Sequence, residues 1–133
     1  MTKTKRTTPE INLTHNGKIL NNEIIESFYN ISQDDDFMFN LKQSTYSWKR
    51  INKCSAYYLK ADLTPLCNDK PVKYSVTFIR SYNTIVALYL PEFQALISFG
   101  RYSMTTYQHI AKFRNNNRFS ISYEYNMEYE NWF

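Results

Sequence analysis

Between Ser81 and Phe113 the chain reads SYNTIVALYLPEFQALISFGRYSMTTYQHIAKF, and no other stretch limits its fold as much. Two apolar runs of strand length, Thr84–Leu90 and Gln94–Phe99, flank a Pro91–Glu92 corner. Gly100 then leads into a helix that opens at Ser103, whose hydroxyl can accept the backbone N–H of Thr105 or Thr106. Thr106, Ile110 and Phe113 form a stripe that would face the sheet, and Asn115–Asn117 are natural stop residues.

Strands are expected on either side of this unit. Val72–Arg80 places Val72, Tyr74, Val76 and Phe78 on one face and Lys73, Ser75 and Thr77 on the other, the alternation of a half-buried strand. Arg118–Asn126 alternates Phe119, Ile121, Tyr123 and Tyr125 and reads as a fourth strand. Short connections favour an antiparallel meander. The expected fold class is therefore α+β: an antiparallel sheet of about four strands, with a helix over 103–114 packed on it and short N-terminal helices completing the core.

The rest of the chain is less patterned. Residues 1–9 read as a flexible basic arm and 10–133 as a single domain, in keeping with the length of 133 residues. Asn16-Gly17 signals a small hairpin between Ile11–Leu13 and Lys18–Leu20. Asn21 or Asn22 can cap a helix running to about Tyr29, with Ile24, Ile25 and Phe28 on one stripe. A second helix is expected from Ser32, with Asp34–Asp36 in its first turn, Phe37 and Leu41 on one face and Lys42 near its end. Ala56–Asp62 is ambiguous between helix and strand, and Pro65–Pro71 reads as a loop. The terminal Trp132–Phe133 pair is expected to pack down. With 2 glycines among 133 residues, asparagine is the expected occupant of turns and caps.

Charge narrows the function. The formal net charge is +4, and its distribution is uneven. Arg101, Lys112, Arg114 and Arg118 lie in a segment with no carboxylate, as do Lys42, Lys49, Arg50, Lys53 and Lys60. Such segments attract phosphate or acidic surfaces, or are simply solvated. No apolar run is long enough to cross a membrane and no signal-peptide core follows the basic start, so a soluble protein of the host cell's cytoplasm is expected.

Metal binding is not expected, because Cys54, Cys67, His15 and His109 show no chelating spacing. Asp34–Asp36 is better placed to cap a helix than to converge on one cation. No glycine-rich phosphate loop can be built, and no cofactor is called for. Ser103, Thr105 and Thr106 could hold an anion at the helix start, but helix capping is the preferred reading. His109 lies on the face of Thr105 and Thr106, and a structural histidine is preferred to a catalytic base.

The strings Ser81-Tyr-Asn-Thr84, Val86-Ala87 and Tyr102-Ser103-Met-Thr105-Thr106-Tyr-Gln-His109-Ile110 resemble a domain of unknown function found in small phage- and plasmid-encoded proteins. The resemblance covers about residues 81–113 and implies a mobile-element setting without an activity. The expected function is a non-enzymatic binding protein that interferes with a host nucleic-acid machine, most sharply an anti-CRISPR-type inhibitor. Its partner would be a host nuclease or other nucleic-acid-handling complex with its RNA or DNA, not a membrane or a small-molecule substrate. Contact residues would be Arg101, Lys112, Arg114 and Arg118, then Lys49, Arg50 and Lys53. The alternative is a nucleic-acid-binding accessory protein in replication, transfer or transcription. A third class is a small nuclease centred on His109.

Overall fold

In the computed structural model, residues 9–34, 36, 48–51, 53–67, 69–116 and 118–131 are described. The chain begins with a hairpin, β1 (Asn12–His15) and β2 (Lys18–Asn21), in which His15 pairs with Lys18 across a two-residue turn. Asn16 and Gly17 have φ of 50° and 78°, the left-handed pair that a tight hairpin of this hand requires. Asn21 then caps α1 (Asn22–Ser32) by accepting the Ile24 N–H at 2.9 Å. Helix α1 runs through Ser32, whose hydroxyl donates to the Tyr29 carbonyl, so Ser32 ends this helix instead of starting the next. Of the second helix expected from Ser32, residues 35 and 37–42 lie outside the described residues, as do residues 1–8 of the arm expected over 1–9 and the Trp132–Phe133 pair.

The central sheet has six strands rather than the expected four. They are β3 (Lys49–Arg50), β4 (Ala56–Leu63), β7 (Tyr74–Ser81), β8 (Thr84–Leu90), β9 (Ala95–Arg101) and β10 (Tyr123–Asn131), in the spatial order β10-β9-β8-β7-β4-β3. Between β4 and β7 the Pro65–Pro71 segment folds as a minimal hairpin, β5 (Leu66–Cys67) with β6 (Lys70–Pro71), rather than as a plain loop. Asp69 has φ 63° and allows the reversal. The ambiguous Ala56–Asp62 stretch is strand β4, paired along its whole length with β7.

The antiparallel meander holds from β3 to β9 and fails at β10, which runs parallel to β9 with Tyr123 beside Ala95. A parallel neighbour needs a crossover, and α2 (Met104–Arg114) supplies it. That geometry also corrects the last strand's position from Arg118–Asn126 to Tyr123–Asn131. Residues 118–122 are used to bring the chain back along the sheet. The Asn116 carbonyl and side chain turn it, accepting from Phe119 N and Arg118 N, and Gln94 O then accepts from Ser122 N and Tyr123 N to start β10.

Register assigns the faces. Tyr58, Ile79, Ala87 and Ser98 form one cross-strand row, and Leu59, Phe78, Leu88 and Ile97 form the next on the opposite side. The first face lies under α2, where Phe113 packs its ring against Tyr58, Tyr89 and Phe119. The second lies under α1, where Phe28 meets Tyr74 and Tyr29 meets Phe99. Strand β8, covered on both sides, is buried from Ile85 to Leu90. The hairpin is tied to this second face by Lys18, which donates to Glu92 at 2.8 Å, and by the Tyr74 hydroxyl, which donates to Ile19 O.

Candidate functional site

The β7–β8 turn and the first two turns of α2 meet under a single hydrogen-bonded chain. Ser103 caps α2, its hydroxyl accepting Thr106 N–H at 3.3 Å. The Thr106 hydroxyl lies 3.3 Å from both Ser103 Oγ and Ser81 Oγ, and Ser81 Oγ lies 2.7 Å from His109 Nδ1. Ser81 and His109 are each only 4% exposed. Tyr82, at φ 55°, lays its ring 5.3 Å from the imidazole and is held by Tyr82 N donating to Ser55 O. On the neighbouring turn the Tyr102 hydroxyl donates to Val86 O at 3.0 Å. Burial, and secondarily the Lys112 ammonium, hold His109 below the ordinary imidazole value.

This arrangement brings Ser81 to Thr106 and His109, which lie 25 and 28 residues further along the chain, and leaves Thr105 exposed. The chemistry it can perform is limited. A nucleophile must reach substrate, and a general base needs a proton path to it. Here both members of the Ser81–His109 pair are enclosed between sheet and helix. Among the described residues no three histidine, cysteine or acidic side chains gather as a metal group. No helix among them is long and apolar enough to cross a membrane.

The basic residues separate into two groups. Phe113, Tyr58 and Phe119 form a nest of three rings with centroids 4.2 to 6.1 Å apart. Four exposed cations neighbour these residues in register or sequence: Lys49 pairs across from Tyr58, Lys60 lies two residues along the same side of β4, Lys112 precedes Phe113, and Arg118 precedes Phe119. Lys60 and Arg118 line one groove of about 430 Å³, whose floor includes Ser75, Thr77 and Tyr89. Its carboxylate, Asp62, is paired with Lys73 at 3.4 Å. The two carboxylate-free segments of the sequence thus meet on the α2 face.

The other expected contact residues lie elsewhere. Arg114 leans over β10, where its guanidinium meets Glu124 at 3.4 Å. Arg50 lies on the opposite face and donates to the Cys54 and Lys53 carbonyls at 2.9 and 3.4 Å. Lys53 occupies the turn between β3 and β4 at φ 58°. The backbone of Arg101 closes β9, and its side chain lies outside the described residues.

Sequence reasoning missed Arg80. It lies directly across from Tyr57 on β4, and its guanidinium carbon is 4.5 Å from the ring centroids of both Tyr57 and Trp48. A signal was present: Arg80 shares the strand parity of Tyr74, Val76 and Phe78, so an arginine occupies a register reserved for the core.

No curated protein and no solved structure matches the chain. A family model matches residues 19–131, from the second hairpin strand to the end of β10, and the chain therefore belongs to the family of unknown function DUF8033.

Proposed function

We propose that the protein is a non-enzymatic binding protein that engages an anionic partner through the α2 face. The observation that carries this reading is the convergence of Lys49, Lys60, Lys112 and Arg118 around the Tyr58–Phe113–Phe119 nest. A predominantly basic surface of this kind favours encounter with acidic proteins and with nucleic acid. Exposed Met104, Tyr107 and Tyr123 add residue types suited to protein contacts nearby. Enclosure of Ser81 and His109 supports the non-enzymatic part of the reading.

The partner proposed, by way of the resemblance to phage- and plasmid-encoded proteins, is a host nucleic-acid machine whose action the protein blocks, most sharply a CRISPR effector with its guide RNA. The same four cations would serve the alternative, an accessory protein that grips nucleic acid directly, and one experiment separates the two. Wild-type protein and a Lys49/Lys60/Lys112/Arg118→Ala variant are used as bait in host lysate, with and without nuclease. A protein complex that survives nuclease and is lost with the variant supports the inhibitor. Nucleic acid alone, lost with the variant, supports the accessory protein. Equal recovery by bait and variant overturns both.

A further inference from the structure

Arg80 carries an observation that the α2 face leaves unused. It lies on the other face of the sheet, in a cross-strand row that runs Arg50, Tyr57, Arg80, Ile85. Its guanidinium lies over both the Trp48 and the Tyr57 rings, 4.5 Å from each centroid. Two ring faces so placed attract the cation and offset part of its desolvation. They supply no hydrogen-bond acceptor. Arg80 Nε and Trp48 Nε1 are both enclosed donors without a partner among the described residues. The ion pairs described there are Lys18–Glu92, Lys73–Asp62 and Arg114–Glu124, and none reaches Arg80. Burial pushes the guanidinium below its ordinary value, with the Tyr57 hydroxyl group acting in the opposite sense.

Two adjacent enclosed donors and a cation without an ion pair among the described residues are costly in isolation, since buried donors are normally paired and buried charges normally compensated. The surroundings repeat the same sign. Arg50 flanks Tyr57 in the row, and Lys53 occupies the turn that follows it. A carboxylate offers two coplanar oxygens to a single fork. A phosphate offers tetrahedral oxygens that accept from an arginine fork and from a second donor at an angle to it.

We infer that Arg80, lying over the Trp48 and Tyr57 rings, anchors a phosphate-binding site on the face opposite α2, with the Trp48 indole N–H as its second donor. The phosphate is that of a nucleic-acid backbone or a free phosphate. Trp48, half-buried beside the short edge strand β3, is the ring that shifts to admit it. The site is independent of the α2 face, because its residues point to the other side of the sheet.

The chain has two tryptophans, Trp48 and Trp132, so Trp132→Phe leaves Trp48 as the sole indole reporter. This protein is titrated at constant ionic strength with inorganic phosphate and, separately, with a ten-nucleotide oligothymidylate. A saturable change in Trp48 emission is expected. Phosphate alone acting identifies free phosphate as the ligand, and a response to the oligonucleotide at much lower concentration identifies the backbone. Adding Arg80→Lys keeps the charge and removes the fork, and is expected to weaken binding about tenfold. If that variant loses its far-ultraviolet circular dichroism, Tyr57→Leu replaces it. That change leaves the cation in place, removes one ring face and is expected to weaken binding about fivefold. No emission change with either ligand, or one that persists unaltered in the folded variant, overturns the site.

Discussion

Ser81 Oγ lies 2.7 Å from His109 Nδ1, joining the end of β7 to the middle of α2. The bond makes helix docking depend on one hydroxyl and on the protonation state of one imidazole. His109 is held below its usual value, by burial first and Lys112 second, so the folded state binds the proton less tightly than the unfolded chain. For a base shifted this way, stability is fully present above the unfolded pKa of about 6.5 and falls as the pH drops below it, levelling off below the folded value. The urea midpoint should therefore decline on going from about pH 7 to about pH 5. His109→Gln should flatten this part of the profile, and an unchanged slope would remove His109 as its source.

Replacement of Ser81 by Ala removes the partner of an enclosed imidazole nitrogen and should cost about 1–3 kcal/mol in equilibrium unfolding. Its consequence separates a latch from a nucleophile. Ser81→Ala protein below its unfolding midpoint should retain the wild-type bait recovery, because Ser81 stabilises the turn–helix junction and touches no partner. Loss of recovery in the folded variant would place Ser81 at a working surface.

Phe113 is fully buried and stacks on Phe119 at 4.2 Å while meeting Tyr58 and Tyr89 edge-on. Phe113→Ala should cost about 3–5 kcal/mol, the range for a large aromatic removed from a packed core. Phe113→Leu, which keeps most of the volume, offers a finer probe. It should lower stability by about 1 kcal/mol and leave the charges in place. Thermal unfolding of the two variants checks the ordering.

How much of this was legible follows the range of the interactions. Local signals read well: Asn16-Gly17 gave the hairpin, Asn21 and Ser103 their caps, and the Thr84–Leu90 run a strand buried on both faces. What failed was pairing at a distance. The alternation Phe119, Ile121, Tyr123 looks like a strand from its start, yet residues before Tyr123 are needed for the crossover that parallel pairing with β9 demands. Trp48 and Tyr57 gave no local hint that they would close on Arg80, because that cluster draws on three strands or their flanks. The cations stand in two segments of the sequence, but only register shows that Lys49 and Lys60 share the face of Tyr58 that α2 covers while Arg50 does not.

Binding through that shared side has a salt signature. If the anionic partner is nucleic acid, each cation lost from the contact should reduce the slope of log affinity against log salt by about 1. Lys60→Ala with Arg118→Ala, both lining the same groove, should therefore lower it by about 2. Arg114→Ala should change it less, because Arg114 is already paired with Glu124 at 3.4 Å. Filter binding of a labelled oligonucleotide across a salt series measures all three. A larger loss from Arg114→Ala than from the pair would move the contact surface towards β10.

The hairpin's attachment to the sheet gives a second pH-dependent term, of opposite origin to that of His109. Burial alone would raise the Glu92 carboxyl, but hydrogen bonds from Lys18 and from Ser75 N–H, with the charges of Lys18 and His15, bring it below its ordinary value. A carboxyl depressed in this way contributes stability above its unfolded pKa of about 4.3 and loses it as pH falls through the folded value. The pair is about one-quarter exposed on each side, at 27% and 26%, so solvent screening limits its contribution to about 1 kcal/mol. Glu92→Gln should show this deficit near neutral pH and converge with wild type in strong acid. The deficit should shrink with added salt, because the lost interaction is partly solvated. Measured by urea denaturation, a Glu92→Gln deficit that stays constant from neutral pH into strong acid would mean that Glu92 acts by packing against Phe93 and the hairpin, and not through its charge.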